Sequence, residues 1–468
     1  MISKGKIVQK FPIPDICECI LYGGVLVYFV VFSYLALLRH RSYQSYMLDL
    51  AIFDQCFWTT IHGSFFYTSV AANMGLNYFG IHNSPILLII TPFYYLTPSP
   101  DLLLIIQSFL LSIAAVPLFF IAREHLGKNG ALVICAAYFL YAPLHGVTLS
   151  DFHELAFAPL ILFSCFYFLF KKNITGFFIS CCFALLIREE IALIVIMIAL
   201  FGLFRKSLIT NERDRLILAL IVLMAAFWLM MSLVVIIPYF NPAHKYMAIG
   251  GHFGGNDLAD LVTVHPILKS AYIFELFFPL GFLSFLSPAI LFTATPSLIE
   301  ILYSKFMLYS IVFWYQAILI PAIFVSCIFS VKKIVVQKGD TGRWTGTRIY
   351  GVILLCSIIS FLVFTPSPLS PNSIYREDYT ITPHDQILDH VVSIIPPKAS
   401  VATQNDIGSH LAHRFDLYID YQPGVEYILI DRTTLPLWEK HEPNLLKYLD
   451  KYSLTYSDDG VELYKLKK

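Results

Sequence analysis

Apolar runs of about twenty residues recur along this chain, and they constrain its fold more than any other feature. The runs "CILYGGVLVYFVVFSYLALL" (19–38) and "LILALIVLMAAFWLMMSLVVIIPYF" (216–240) are each long enough for a helix to cross about 30 Å of hydrocarbon. Lipid offers backbone groups no hydrogen-bond partner, so such runs have to be helical. Since 57% of the residues are hydrophobic and only 14% are charged, the composition is that of a multi-pass membrane protein.

Shorter apolar runs lie between the long ones. The run at 84–100, "SPILLIITPFYYLTPSP", is punctuated by prolines, so we expect a re-entrant or half-spanning segment there. Two further short runs, 174–186 and 192–204, are expected to form a bent pair that meets at "IREEIA" (187–192). The sequence therefore predicts a mainly α fold, a polytopic transmembrane helical bundle of roughly nine to eleven spans.

Clusters of lysine and arginine predict which loops face the cytoplasm. These residues are Lys4, Lys6, Lys10, Arg123, Lys128, Lys171, Lys172, Arg205, Lys206, Arg213, Arg215, Lys332, Lys333, Lys338, Arg343 and Arg348. The intervening loops, including loop 39–83, are then extracytoplasmic in a multi-pass protein of the plasma membrane. Arg39 and Arg41 break the rule, and two interpretations remain open: they bind an anionic ligand, or they extend to the interface as flanking residues.

The composition changes after residue 365, where the transmembrane domain (1–365) is predicted to end. The stretch "TPSPLSPNS" (365–373) opens a predicted linker over 366–382. Residues 383–468 have the apolar spacing of a small soluble α/β domain on the extracytoplasmic side. We expect helices at 384–395 and 442–452, strands in "ASVAT" and "VEYILID", and a hairpin at 454–466.

Charge and cysteine content narrow the functional classes. The formal net charge is zero, so nothing favours a nucleic-acid partner, and the lipid bilayer is the expected surrounding. The nine cysteines lie in or beside apolar segments and have neither the pattern of a disulfide framework nor the spacing of a metal site.

Ionisable residues collect in the loops predicted to be extracytoplasmic. The candidate site residues are Asp49 and Asp54 in "LDLAIFDQCFW" (48–58), His82 in "IHNSP" (81–85), Asp151, His153 and Glu154 in "SDFHEL" (150–155), Arg188 and Glu189 in "IREEIA", Lys245 in the glycine-rich loop 242–257, and Tyr315 in "YSIVFWYQAIL" (309–319). A charge at membrane depth costs about 2.5–3.5 kcal/mol, which favours a functional role, although a single acid at a helix end is often only a cap.

Asp49 and Asp54 are five residues apart, which is about 140° around a helix axis. Both therefore cannot face one way, and we expect one to be chemical and the other structural. The layout as a whole suits glycosyl transfer from a lipid phosphate. A carboxylate would take the acceptor's proton, and a cation or metal would stabilise the departing phosphate.

The motifs, in this order, resemble a family of predicted membrane proteins, domain of unknown function 2079, over essentially the whole chain. The elements "DLAIFDQ" and "DFHE" carry most of this resemblance. That family is similar to the GT-C class of integral-membrane glycosyltransferases, which implies a GT-C-like fold and an acidic residue after the first span, here Asp49 or Asp54. The resemblance also implies a later acidic residue, Asp151 or Glu154, and a phosphate-contacting Arg188.

Three positions depart from that pattern. His82–Pro85 stands where the related mannosyltransferases have a His-Pro-Pro element, and Arg188 stands where a lysine is more usual. Trp314 precedes Tyr315 where a histidine would be expected.

We therefore predict a glycosyltransferase that moves a sugar from a polyprenyl-phosphate donor to an unknown acceptor on the extracytoplasmic side. Asp49, Asp54, Asp151 and Glu154 are the candidate catalytic residues; Arg188, Glu189, His82, His153, Lys245 and Tyr315 are the candidate substrate-binding residues. A divalent cation, Mg²⁺ or Mn²⁺, is left open, because no histidine has diagnostic metal spacing. The alternatives are a polytopic transporter or flippase, and an envelope sensor without catalysis.

Overall fold

The computed structural model describes residues 14–71, 75–241, 260–304, 308–337, 342–434 and 445–467. The helices of eight or more residues in these ranges are Ile16–Arg41 (α1), Ile52–Ile61 (α2), Pro100–Ile113 (α3), Ala115–Phe139 (α4), Ala142–Leu149 (α5), Phe157–Phe170 (α6), Ile174–Leu185 (α7), Ile191–Phe204 (α8), Glu212–Met231 (α9), Pro266–Phe277 (α10), Thr295–Tyr303 (α11), Ile320–Gln337 (α12), Gly342–Phe364 (α13) and Pro383–Ile394 (α14). A small sheet lies in the C-terminal region, so the predicted fold class is confirmed.

Within the described ranges, four helical segments are long and apolar enough to cross a membrane: Ile16–Arg41, Pro100–Phe139, Glu212–Phe240 and Gly346–Phe364. Four shorter apolar segments accompany them: Glu154–Phe170, Ile174–Leu185, Ile191–Phe204 and Pro288–Tyr303. The proline-punctuated run at 84–100 forms only short helical pieces, Pro85–Ile89 and Thr91–Leu96, before α3 begins. The exact number of crossings stays a prediction.

One face of α1 is apolar and exposed, as contact with lipid requires. Ile20, Val27 and Tyr34, spaced seven residues apart, are each more than half exposed, whereas Tyr28 and Phe32 are buried against the bundle. Such a strip would be unfavourable in water, but in lipid it meets an apolar solvent.

The opposite ends of α1 carry different charges. At its start, Asp15 caps the helix by accepting from the Cys17 backbone N–H at 2.9 Å, and it pairs with Lys128 at 2.9 Å. Glu18 pairs with Arg123 at 2.5 Å. The basic cluster of α4 is thereby joined to one end of α1, while Arg39 lies at the other end.

The C-terminal sheet has five strands: Val401–Thr403 (β1), Leu417–Tyr418 (β2), Tyr427–Asp431 (β3), Tyr452–Asp458 (β4) and Val461–Leu466 (β5). Their order is β2-β1-β3-β5-β4, with β1 parallel to β2 and β3, and β5 antiparallel to β3 and β4. The predicted helix at 384–395, both predicted strands and the hairpin are present. Residues 435–444 lie outside the described ranges, so the helix predicted at 442–452 is described only from 445, where a 3₁₀ turn spans Leu449–Lys451.

The C-terminal region packs directly on α2 and on the segment that joins α1 to α2. The Tyr43 hydroxyl donates to Asp389 on α14 at 2.8 Å, and the Gln55 side-chain amide donates to the Arg414 carbonyl at 2.8 Å. The segment predicted as a linker takes part in this contact, because the Ser42 hydroxyl donates to the carbonyl of Asp378 and Tyr379 is buried. Residues 366–382 are therefore a packed connection.

Gly146 on α5 allows a close approach that positions the chain near Trp314. A Cβ added at Gly146 would lie 1.6 Å from the backbone oxygen of Ile311 and 3.2 Å from Cα of Val312. Because these are backbone atoms, no side-chain rotation could relieve the overlap. The absence of a side chain at 146 thus fixes how closely residues 311–314 approach α5.

Replacing Gly146 by alanine is expected to displace residues 311–314 and to lower stability by on the order of 1–3 kcal/mol, the usual cost of overpacking. Thermal melting of the purified protein in detergent measures the effect. G23A is the matched control, since a Cβ at Gly23 on α1 would meet nothing within 4 Å. Equal melting temperatures for G146A and G23A would contradict the role given to Gly146.

Candidate functional site

Asp49 lies in a π-helical turn, Met47–Ala51, directly before α2. The chain reverses after α1 through Tyr43, whose φ of 57° is unusual for a residue with a side chain. The Asp49 side chain is 24% exposed to solvent, compared with 2% for Asp54 and 1% for Asp151. Asp49 is therefore the most accessible of these three carboxylates.

Asp54 lies on α2 and is used differently. Its carboxylate accepts a hydrogen bond from the Tyr94 hydroxyl and lies 3.2 Å from Nε2 of His413 in the C-terminal region. The Tyr94 hydroxyl oxygen also lies 3.0 Å from Nε2 of His413. These contacts make Asp54 a buried link between α2, the helix at 91–96 and the C-terminal region.

Asp151 is buried and fully engaged. Its Oδ1 pairs with Nη1 of Arg39 at 2.9 Å, and its Oδ2 accepts from the Tyr46 backbone N–H at 2.7 Å. Arg39 is only 14% exposed, so it points into the protein and not to the lipid interface. Arg41, by contrast, is exposed and lies 3.4 Å from Asp101.

His153 is held in one orientation. Its Nδ1 lies 2.9 Å from the backbone carbonyl of Asp151, which can only accept, so Nδ1 carries a proton. The other nitrogen, Nε2, then faces Oδ1 of Asp49 at 3.6 Å. The imidazole stacks on Trp314 with ring centroids 3.3 Å apart. His153 thus connects the "DFHE" motif to Asp49.

Glu154 points away from Asp151 into a second charged group. Its carboxylate accepts from the Tyr78 hydroxyl at 2.9 Å and lies 3.5 Å from Nη1 of Arg188. Arg188 also pairs with Glu190, and all of these side chains are largely buried. Buried charges require such pairing, because an isolated one would be very costly.

The remaining member of "IREEIA" completes this group. Glu189 accepts from Nδ1 of His82 at 2.9 Å and from the backbone N–H of Asn83 at 2.9 Å. The loop "IHNSP" and the loop between α7 and α8, which are about a hundred residues apart in the chain, therefore meet at Glu189.

Two cavities of about 180 Å³ each lie between these groups. The Arg39 cavity is lined by Arg39, Tyr46, Asp49, Gly146, Leu149, Ser150, Asp151, Val312, Phe313, Trp314, Pro366, Tyr375, Asp378 and Tyr379. The Arg188 cavity is lined by Leu48, Asp49, Ile52, Phe53, Tyr78, Ile81, His82, His153, Arg188, Trp314 and Tyr315. Asp49 and Trp314 line both, and Asp54 lines neither.

Of the predicted site residues, the structure brings together Asp49, Asp151, His153, Glu154, Arg188, Glu189, His82 and Tyr315 around these two cavities. Asp54 faces the C-terminal region, and Lys245 lies outside the described residues. Sequence reasoning missed Trp314, Tyr46 and the segment 375–379 as lining residues. Arg39, which breaks the positive-inside rule, was the sequence signal for the Arg39 cavity. Nothing local in the sequence distinguishes Trp314 from the many other aromatic residues.

Comparison with solved structures shows what class of protein has this fold. ArnT from Cupriavidus metallidurans, solved with bound undecaprenyl phosphate, matches with a TM-score of 0.59 at 9% identity, over 95% of this chain and 97% of that one. The archaeal oligosaccharyltransferase AglB from Archaeoglobus fulgidus, in complex with an inhibitory peptide and a dolichol-phosphate, matches with a TM-score of 0.44 at 12% identity, over 95% and 74%. The chain is a membrane protein with a GT-C-like, ArnT-like fold.

The family follows from the sequence profile of domain of unknown function 2079, described as a predicted membrane protein, which matches residues 39–463. The chain belongs to this family, as its motifs predicted. No curated protein matches the chain in sequence.

The Asp54–His413 contact predicts a pH-dependent stability. Burial alone would lower the pKa of His413, but the Asp54 carboxylate outweighs burial and raises it above the ordinary 6.5. A histidine with a raised folded-state pKa stabilises fully below its unfolded pKa and loses that contribution as the pH rises through the folded value. The melting temperature of the wild type should therefore exceed that of H413Q most near pH 6, and the gap should close towards about pH 9.

D54N should show the same flattened pH profile as H413Q, since it removes the other partner. H390Q, at an exposed histidine of α14, is the control and should follow the wild type at every pH. A gap between wild type and H413Q that stays constant from acidic to alkaline pH would show that the contact is uncharged.

Proposed function

We propose that this protein transfers a sugar from a polyprenyl-phosphate donor to an acceptor hydroxyl at the extracytoplasmic face of the membrane. The observation that carries the proposal is the position of Asp49, a partly exposed carboxylate in the wall shared by two cavities. A base that deprotonates one substrate as it attacks another has to reach both. The ArnT-like fold supports a reaction at the membrane, and we infer the substrates from the residues that line the cavities.

The donor's phosphate is assigned to the Arg188 cavity, where a guanidinium and the His82 ring line the wall. A third cavity of about 200 Å³ is almost wholly apolar and is lined by residues of α10, α11 and α12, among them Leu276, Leu298 and Ile323. Glu300 on the same α11 acts electrostatically on Arg188. The apolar cavity and Glu300 thus share α11, which suits a donor with a lipid tail and a phosphate head.

The acceptor is assigned to the Arg39 cavity. There Arg39 is paired with Asp151, and the carboxylates of Asp49 and Asp378 line the wall together with Tyr46 and Tyr379. Carboxylates accept hydrogen bonds from hydroxyl groups, and tyrosine rings offer flat apolar faces. This lining fits a hydroxyl-bearing acceptor better than an anionic one.

The proposed reaction needs one base and one stabilised leaving group. Asp49 takes the hydroxyl proton while the acceptor oxygen forms a bond to the anomeric carbon, and the bond between that carbon and the phosphate oxygen breaks. The electron pair leaves with the phosphate towards Arg188. In this reaction His153 orients Asp49. Asp151 positions His153, and Glu154 positions Arg188. Tyr315 contacts the donor sugar.

The C-terminal region is proposed to lie on the extracytoplasmic side with the site. Its support is the direct packing of residues 375–379 along the Arg39 cavity. The acceptor would then be bound partly by the transmembrane bundle and partly by the segment that leads into the small domain.

Replacing Asp49 by asparagine is expected to lower transfer by about 10²- to 10⁴-fold, the usual contribution of a positioned base. The assay reconstitutes the protein with radiolabelled polyprenyl-phosphate sugars and bacterial envelope extract as the acceptor source, and it follows release of polyprenyl phosphate. D101N is the matched control, because Asp101 is partly exposed and its only described ion pair is with Arg41. Equal rates for D49N and wild type, or passage of donor across the bilayer without sugar transfer, would overturn the proposal.

A further inference from the structure

Three side chains beside Arg188 form a set that can hold a metal ion. The potential ligand atoms of His82, Glu189 and Glu190 all lie within 4.8 Å of one another. Glu189 and Glu190 are only 5% and 13% exposed, and His82 is 14% exposed. From this geometry we infer that His82, Glu189 and Glu190 bind a divalent transition-metal cation.

The charge balance of the surroundings supports a cation. The carboxylates of Glu154, Glu189 and Glu190 gather around the single guanidinium of Arg188. With all three glutamates ionised, this buried group holds more negative than positive charge even when His82 is protonated. Uncompensated buried charge is very costly, and a bound cation offsets it.

The loop that carries His82 offers a further oxygen. Asn83 is 1% exposed, and its backbone N–H donates to Glu189, so it adjoins the set. Its side-chain Oδ1 is buried without a hydrogen-bond partner among the described residues. A buried oxygen without a partner calls for an explanation, and an ion or its bound water supplies one.

The donor atoms indicate which cations fit. One imidazole nitrogen with carboxylate oxygens suits Mn²⁺ or Zn²⁺, whereas Ca²⁺ prefers six to eight oxygens. Across the described ranges, no other three histidine, cysteine or acidic side chains bring their ligand atoms this close.

The cation would also explain how the donor phosphate can approach Arg188, since the guanidinium is already paired with Glu154 and Glu190. A divalent ion at this set would offset the charge of the donor phosphate. This assignment of the ion to the donor rests on the proposed function, whereas the binding itself does not.

The test is metal binding by the purified full chain in detergent, stripped with EDTA and titrated with MnCl₂ in the absence of any donor. Electron paramagnetic resonance of free Mn²⁺ measures stoichiometry and affinity, and the melting temperature is followed in parallel. We expect saturable binding of one Mn²⁺ per chain with a rise in melting temperature, competition by ZnCl₂, and little competition by CaCl₂.

H82N is the decisive variant, because asparagine can still donate to Glu189 but is a poorer metal ligand than imidazole. It should weaken Mn²⁺ binding by at least about 10–100-fold, the loss found when a supporting group alone is removed. E300Q is the matched control, since it removes a negative charge near Arg188 without removing a ligand, and it should bind within a few-fold of wild type. E189Q should lose binding while the metal-free chain still melts cooperatively.

Absence of saturable binding by the wild type, or equal affinity of H82N and wild type, would overturn the inference. If Mn²⁺ binds as described and no sugar is transferred from any donor, the metal site stands and the proposed function fails. If sugar is transferred while the wild type shows no saturable Mn²⁺ binding, the metal site fails and the proposed function stands.

Discussion

The carboxylate of Asp151 is the interaction on which the rest of the site depends, because Asp151 joins segments that are far apart in the chain. Its two oxygens hold Arg39 at the end of α1 and the backbone N–H of Tyr46, while its carbonyl accepts from His153. Removing one partner of such a buried pair typically costs about 3–5 kcal/mol. We therefore interpret Asp151 as a positioning group that sets the Asp49 turn and the His153 ring together.

The two aspartates of "DLAIFDQ" divide between chemistry and architecture. The π turn exposes Asp49 to both cavities, and the regular helix that follows turns Asp54 towards Tyr94 and His413. One short motif thus supplies the proposed base and also anchors the C-terminal region over it. The arrangement explains why the C-terminal region is packed against the bundle and not held on a free linker.

Much of this could be predicted from the sequence, and the limits have physical causes. Apolar run length determines spanning helices, so the bundle and the small domain were foreseen. Helical geometry predicted that Asp49 and Asp54 face different ways. Which of them lines a cavity could not be predicted, because Asp54 contacts His413, which is more than 350 residues away in the chain. The pairing of Arg39 with Asp151 is likewise non-local, since 112 residues separate them. The one sequence signal for this pairing was that Arg39 breaks the positive-inside rule at the end of α1.

Trp314 lines both cavities, so it lies where they would have to join to serve one reaction. Reacting atoms have to approach within about 3–3.5 Å, so the proposed donor and acceptor would have to meet at the residues common to both cavities, Asp49 and Trp314. The indole is stacked on His153, and its Nε1 is buried without a hydrogen-bond partner among the described residues. Its backbone position follows from the contact between Gly146 and Ile311. A glycine on α5 thereby influences how the proposed substrates meet, although its own part in the Arg39 cavity is only backbone.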